Sequence, residues 1–210
     1  MRLDEALKIS DEAWYKTLFK AHDLRRLSEE EVAAVISGSM QAAPMLWAKY
    51  GDAYAEKGAE GLLDSFGVRV VVQSENPATN LLAFYDLDQN VLRLQSQSVR
   101  AVGKRIADAG CGDLVSPEWL AQMVLTHELY HVLEMNEDDI YTYRKLITRK
   151  ILCFEKKERL PAASEIGAYH FTKLALKPDF PLLFLEELLS AGTSLPDFFK
   201  RIPKGNKHSD

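Results

Sequence analysis

The first third of the chain has apolar residues at helical spacing. Residues 2 to about 66 show this amphipathic pattern, and Ser28-Glu29-Glu30-Glu31 has the form of a capping box, in which a serine and the glutamate three residues later bond to each other's backbone. Gly67 follows as a residue that commonly ends a helix. The pattern predicts a helical front section.

The pattern changes to that of β-strands in the middle of the chain. Val68-Arg69-Val70-Val71-Val72 is rich in β-branched residues, and two further short runs of the same kind follow at 81–85 and 91–94. Turn residues, Asn76-Pro77 and Asp88-Gln89-Asn90, separate the runs. We therefore expect a small three-stranded antiparallel sheet.

Two long helices are predicted after the sheet. The first opens at Ser116-Pro117-Glu118, which reads as an N-cap, a proline in the first turn and an acidic residue near the helix N-terminus, and it runs to about Met135. The second opens near Pro161 and closes before Pro178. Two shorter helices and a polar tail complete the prediction, at 181–189, 196–201 and 203–210.

These elements predict an α+β fold that is mostly helical and forms a single domain over residues 1–210. Its parts are a helical N-terminal section at 1–66, a sheet with two long helices at 67–178, and C-terminal helices with a tail at 179–210. A chain of 210 residues that is 47% hydrophobic is long enough to bury one sizeable core.

Charge and cysteine content narrow the class of protein. The net charge is −5 and the Lys and Arg residues are scattered, so we expect no direct binding to nucleic acid. No apolar run approaches the length of a membrane span or of a signal peptide, which predicts a cytoplasmic protein without membrane association. Cys111 and Cys153 belong to no C-x-x-C motif, and we expect two inert thiols.

The first long helix contains an H-E-x-x-H motif, His127-Glu128-Leu129-Tyr130-His131. Side chains four residues apart project from the same face of a helix, about 6 Å apart along its axis, so two imidazoles at this spacing can bind one metal ion, and zinc is the metal that the arrangement favours. Glu128 lies roughly 60° around the helix from the second histidine, where it can act as a base on water without ligating the metal.

Two histidines on a partly buried face could instead be satisfied by hydrogen bonds alone. An apolar stripe on the same helix argues against this alternative, because the histidines point about 160° away from Leu125 and Leu129. The residues expected to face the core are Ala121, Leu125, Leu129 and Val132.

A catalytic zinc usually has three protein ligands and one open position. Our candidate for the third ligand is Glu165, thirty-four residues beyond His131. Gly167 and Ala168 are small, which would let the second helix approach the first closely enough for a carboxylate to reach the metal, and the spacing leaves room for a hairpin or a helix between them. Alternatively, Glu165 is an acid of the first helical turn that the helix dipole stabilises.

Two other residues compete for the third position. Glu134 lies on the metal-binding face but about 10 Å along the axis from His127, so we expect it to orient a histidine or to be solvated. His170 lies roughly 140° around its helix from Glu165, so both cannot easily face one metal ion.

Two tyrosines could donate a hydrogen bond to a developing oxyanion. Tyr169 is the better candidate because it lies one helical turn after Glu165 and on the same face. Tyr130 is the weaker candidate because it lies off the histidine face. Either tyrosine could instead simply pack in the core.

The two blocks Thr126–His131 and Glu165–Phe171 resemble the zinc-dependent ImmA/IrrE-like metallopeptidases, compact gluzincin-type proteins of bacteria and their mobile elements. The second block is similar to the family's E-x-x-A-x-x-F pattern. The resemblance implies a zincin-like fold with its small sheet beside the H-E-x-x-H helix, and one zinc ion per chain. It further implies His127, His131 and Glu165 as zinc ligands and Glu128 as catalytic acid and base.

The expected activity is therefore hydrolysis of a peptide bond in a protein or peptide substrate. Characterised relatives include enzymes that cleave repressor proteins, which makes a regulatory protein a candidate substrate. Two other hypotheses stay open: a non-catalytic metal-binding or interaction protein of the same fold, against which the intact Glu128 argues, and hydrolysis of a small amide or ester at the same site. The sequence assigns no oligomeric state.

Overall fold

The computed structural model describes residues 6–19, 27–74, 81–151 and 154–185. Its helices α1 to α6 are, in chain order, Asp11–Tyr15, Glu29–Ser65, Ser96–Ile106, Pro117–Met135, Tyr141–Arg144 and Pro161–Leu176. Its strands β1 to β5 are Arg69–Gln73, Ala83–Asp86, Val91–Gln95, Leu146–Ile151 and Phe154–Arg159. Short turns of 3₁₀ or π geometry lie at Lys16–Leu18, Ala107–Cys111 and Gly112–Leu114.

Some predicted features fall outside the described residues. These are the turn at Asn76-Pro77, the thiol of Cys153, the helix at 196–201 and the polar tail. Of the helix predicted at 181–189, only the start is described, where residues 183–185 are helical.

The described part of the front section is mostly helical and contains no strand, as predicted. The capping box at the start of α2 is present: the Ser28 hydroxyl accepts from the Glu31 backbone N–H at 3.2 Å, and the Glu31 carboxylate accepts from the Ser28 N–H at 2.7 Å. The helix bends at Gly58, whose φ of 70° departs from helical geometry. None of the helices in the described part of the chain has the length and apolar character needed to cross a membrane.

The three-stranded sheet is mixed, and the prediction of an antiparallel sheet is wrong in this respect. Strand order is β1-β3-β2, with β2 antiparallel to β3 across the turn at residues 87–90 and β1 parallel to β3. The physical reason for the strand order is that β3 is the most buried of the three strands: Val91, Leu92 and Leu94 are buried, whereas every residue of β1 and β2 is exposed or half-buried. The strand that can be covered on both faces takes the centre, and β1 must then pair on its far side.

A second sheet consists of the antiparallel hairpin β4–β5, in register from Leu146 opposite Arg159 to Ile151 opposite Phe154. The backbone N–H of Leu160 donates to the carbonyl of Lys145 at 3.3 Å and closes the base of the hairpin. Among the described elements, β4 and β5 pack mainly against each other. The segment between the two long helices thus holds both a short helix, α5, and a hairpin.

The two long helices have the predicted bounds. The Ser116 hydroxyl caps α4 by accepting from the Trp119 N–H at 3.1 Å, and α6 opens at Pro161 and ends before Lys177, which has the left-handed φ of 50°. These helices pack on each other and on α2, while β2 packs on α4. Buried side chains from α1, α2, the mixed sheet, α4 and α6 belong to one hydrophobic cluster, including Trp14, Leu63, Leu92, Leu129 and Phe171.

Candidate metal site

Three predicted ligands come together where α4 faces α6. His127 and His131 lie one turn apart on α4, and their Nε2 atoms are 3.2 Å from each other. Glu165 on α6 places its Oε2 3.2 Å from His127 Nε2 and its Oε1 3.7 Å from His131 Nε2. The ligand atoms of all three residues lie within 4.8 Å of one another, so they could hold one metal ion.

These distances fit a tetrahedral ion. Ligand atoms that each bind such an ion at about 2.1 Å lie about 3.4 Å from one another. The observed separations of 3.2, 3.2 and 3.7 Å are close to that value. The alternative in which Glu165 is a first-turn acid is wrong, since the first turn of α6 contains no acidic residue and Glu165 is the fifth residue of the helix.

The ligand side chains are accessible from solvent to different degrees. His127 is 14% exposed, His131 24% and Glu165 41%. Burial raises the pKa of Glu165, but the hydrogen bond and charge of His127 and the charge of His131 outweigh burial and hold the pKa below its ordinary value. The carboxylate is therefore ionised near neutral pH, as a metal ligand must be.

The second nitrogen of His131 is held by a carboxylate. Its Nδ1 lies 3.2 Å from Oε1 of Glu134, which is 6% exposed. Of the two roles predicted for Glu134, orienting a histidine is confirmed and solvation is not. Histidines that bind metals usually donate their second ring N–H to such a partner, which fixes the orientation of the ring.

Glu134 also accepts hydrogen bonds from side chains on two other helices. Ser164 on α6 donates to Glu134 Oε1, and its hydroxyl also lies 3.0 Å from His131 Nδ1. Thr142 on α5 donates to Oε2 at 2.7 Å and shares a second hydrogen bond of 2.7 Å with the hydroxyl of Tyr130. Burial raises the pKa of Glu134, but the hydrogen bonds from His131, Ser164 and Thr142 outweigh it, so the pKa is lowered and the group stays a carboxylate.

Sequence reasoning missed Ser164 and Thr142. Ser164 directly precedes the candidate ligand Glu165, which is a weak signal. The sequence around Thr142 carries no signal for its contact with Glu134, because that contact depends on how α5 packs against α4.

The charge distribution of the site favours a cation. Burial lowers the pKa of His131, but the hydrogen bond of Glu134 and the negative charges of Glu165 and Glu128 outweigh burial and raise it. Glu128 is half-buried and makes no hydrogen bond or ion pair with the residues that the structure describes. Its carboxylate thus acts on the site through its negative charge, and no structural hydrogen bond or ion pair with the described residues occupies it.

The two candidate tyrosines differ in their surroundings. The ring of Tyr169 packs edge-on against His127, with 4.7 Å between ring centroids, and Tyr169 is 8% exposed. Tyr130 is fully buried and uses its hydroxyl in the bond to Thr142. Tyr169 therefore stays the better candidate for a donor at the site, and this role is still a prediction.

His170 lies away from the metal ligands. Its ring packs edge-on against Tyr15 of α1, with centroids 6.4 Å apart, and it is absent from the cluster that His127, His131 and Glu165 form among the described residues. Cys111 is a buried free thiol whose pKa is raised by burial, which agrees with the prediction of an inert cysteine.

A scan against protein-family models and searches of curated proteins and of solved structures find no match to this chain.

Proposed function

We propose that this protein is a zinc-dependent metallopeptidase. The observation that carries the proposal is the convergence of His127, His131 and Glu165 on one point, with Glu128 adjacent to His127 on the same helix. Two imidazoles and one carboxylate are a ligand set of catalytic zinc sites, which keep a further position open. The exposure of the ligand side chains is consistent with such an open position.

Zinc held by these three residues would polarise the scissile carbonyl group and lower the pKa of the attacking water. Glu128 takes the proton of that water as it adds to the carbonyl carbon, and delivers the proton to the amine when the C–N bond breaks. The lack of a structural partner for Glu128 among the described residues leaves its carboxylate available for both transfers.

Three other residues have supporting roles in the proposed reaction. Glu134 keeps His131 in one orientation, and Ser164 ties Glu134 to the helix that carries Glu165. Tyr169, beside His127, is the candidate donor to the oxyanion that forms on the carbonyl oxygen.

A peptide substrate is favoured over a small amide or ester by the sheet. Strand β2 packs on α4 and, among the residues that the structure describes, is an edge strand with β3 as its one neighbour in the sheet. An extended peptide can add to such an edge through main-chain hydrogen bonds, and this would place it along the helix that carries the histidines.

Two measurements on the same protein samples test the proposal. Elemental analysis of the wild type, Glu128→Gln and Glu165→Ala should give about one zinc per chain for the first two and markedly less for the third. Incubation of each protein with a peptide library, with new N-termini identified by mass spectrometry, should give cleavage by the wild type alone. Glu60→Ala, at an exposed position on α2, is the matched control and should behave as wild type in both measurements.

The outcomes separate the hypotheses. Zinc bound by His127, His131 and Glu165 without cleavage of any peptide would support the non-catalytic metal-binding protein. A wild type that neither contains zinc nor takes it up would rule out the metallopeptidase.

A further inference from the structure

Strand β2 has a free edge whose main-chain groups are oriented by its pairing with β3. The backbone N–H of Gln95 donates to the carbonyl of Leu82 at 2.8 Å, and bonded pairs alternate with non-bonded pairs from there along the antiparallel ladder. Ala83 and Tyr85 therefore take the non-bonded positions, and their N–H and C=O groups point away from β3. Among the described residues no other strand pairs with this edge, so these four groups can bond to an added strand.

The side chains along this edge are uncharged. Residues 81–85 contain no charged residue and no proline. Leu81 and Leu87, on either side of the strand, are 51% and 72% exposed. The one charged residue of the strand, Asp86, faces Arg93 with 3.5 Å between Oδ2 and Nη2. Proteins often protect an edge strand from pairing with a lysine or a proline, and neither residue protects this one.

Phe84 lies on the face of the sheet that points away from the hydrophobic core. Its cross-strand partner is Arg93, whereas Leu92 and Leu94, on either side of Arg93, belong to that core. In a strand added antiparallel to β2, the residue opposite Phe84 forms a pair without main-chain hydrogen bonds, in which the side chains are closest. Aromatic side chains in cross-strand pairs favour β-branched or aromatic partners. Phe84 therefore favours an apolar residue in the added strand.

We propose that β2 selects substrate segments that are extended, uncharged and rich in β-branched or aromatic residues, and that it binds them as an added antiparallel strand. This inference rests on the proposed peptidase function. Because folded proteins bury such residues, the substrate class is proteins in which a β-prone segment has become exposed.

Charge argues against the two other kinds of segment. An acidic segment would approach a chain with a net charge of −5. A basic segment would meet no uncompensated carboxylate on β2, because Arg93 compensates the charge of Asp86. An uncharged segment avoids the repulsion, and it gains the main-chain hydrogen bonds and the contact with Phe84.

Fluorescence anisotropy with the full-length, zinc-loaded Glu128→Gln protein measures binding without cleavage of the probe. The probes are a labelled peptide of alternating valine and threonine and two versions in which glutamate or lysine replaces the valines. A fourth probe is the valine-threonine peptide with N-methylated amides, which cannot donate hydrogen bonds to the edge of β2. We expect the valine-threonine peptide to bind at least about tenfold more tightly than each of the other three.

Phe84→Glu, in the same background, should weaken binding of the valine-threonine peptide at least about tenfold. The new carboxylate lies opposite Arg93, which keeps a favourable cross-strand pair in the sheet. Leu87→Glu, at a position that is 72% exposed, is a second variant that should also weaken binding while leaving the core unchanged.

The matched control is Val72→Glu. It makes an equal charge change at an apolar residue that is 63% exposed on β1, at the other side of the sheet, and it should retain binding. Zinc content shows that each variant is folded.

Equal binding of the N-methylated peptide would overturn the proposal, because strand addition would then not explain the affinity. Equal or tighter binding of the glutamate or lysine peptide would overturn the proposed selectivity, and so would a lack of binding by all four probes. Equal weakening by Val72→Glu and Phe84→Glu would overturn the assignment to β2. Binding and cleavage are separate readouts. If the valine-threonine peptide binds as expected while the wild type cleaves nothing, the binding preference of β2 stands and the peptidase function fails.

Discussion

The hydroxyl group of Tyr130 occupies the space that a side chain at position 167 would need. A Cβ atom on Gly167 would lie 2.1 Å from Tyr130 Oη, far inside van der Waals contact. Tyr130 is fully buried and its hydroxyl bonds to Thr142, so the ring cannot swing away without breaking that bond. Helices α4 and α6 therefore meet closely because residue 167 has no side chain, and this approach lets Glu165 reach the two histidines.

Gly167→Ala should push the two helices apart or displace Tyr130. We expect the free energy of unfolding of the metal-free protein to fall by about 1–3 kcal/mol, the usual cost of overpacking a core, and zinc to bind more weakly. Urea denaturation and zinc titration measure the two effects.

Gly103→Ala on α3 is the matched control for this change. A Cβ at Gly103 would meet Leu120 at 3.5 Å, an ordinary contact, so alanine should leave stability unchanged or raise it slightly. If Gly167→Ala has the same free energy of unfolding and the same zinc affinity as Gly103→Ala, the close contact at Gly167 does not set the spacing of the two helices.

Glu134→Gln should weaken zinc binding by about ten- to a hundredfold, the usual effect of losing the partner that orients a metal-binding histidine. The variant keeps the size of the side chain but removes the charge that faces His131 Nδ1. Competition with a chromogenic chelator gives the affinity.

The control for this variant is Glu137→Gln, three residues further along the chain and just past the end of α4. Glu137 bonds to Lys49 and Tyr50 on α2 and has no contact with the metal ligands. Its replacement should leave zinc affinity at the wild-type value. Equal affinities for the two variants would mean that the contact between Glu134 and His131 does not assist metal binding.

Tyr169→Phe tests the proposed oxyanion donor on whichever peptide the wild type cleaves. Loss of one such donor typically lowers kcat by about a hundred- to a thousandfold, and we expect KM and zinc content to change little. Tyr130→Phe is the control, because it removes a hydroxyl that bonds to Thr142 instead. We expect that variant to lose roughly 1 kcal/mol of stability and to keep its kcat. A Tyr169→Phe enzyme with wild-type kcat would assign the tyrosine to packing against His127.

The elements that the sequence predicts best are those with local signals at both ends. Helix α4 has its serine cap and first-turn proline, and α6 opens and closes at prolines, so the bounds of both helices and the faces that carry the ligands follow from spacing. Of the five residues proposed for the site, His127, His131 and Glu165 could be chosen because helical geometry limits which side chains can meet. The roles proposed for Glu128 and Tyr169 depend on chemistry that spacing does not determine.

The features that could not be predicted from the sequence depend on contacts between distant segments. The runs at 68–72 and 91–94 have the same composition whether they pair parallel or antiparallel, so the direction of pairing cannot be read from them, and the strand order follows burial, with the most buried strand at the centre. The β4–β5 hairpin has no Asn-Gly or Asp-Gly turn to mark it. Thr142 and Ser164 join the site only after α5 and α6 have packed on α4.

The chain enters and leaves the β4–β5 hairpin at two residues that are bonded to each other, Lys145 and Leu160. That bond lies between the end of α5 and the start of α6, so the hairpin begins and ends at one place. The length and the charge of the hairpin can therefore change during evolution while His127 and Glu165 keep their positions relative to each other.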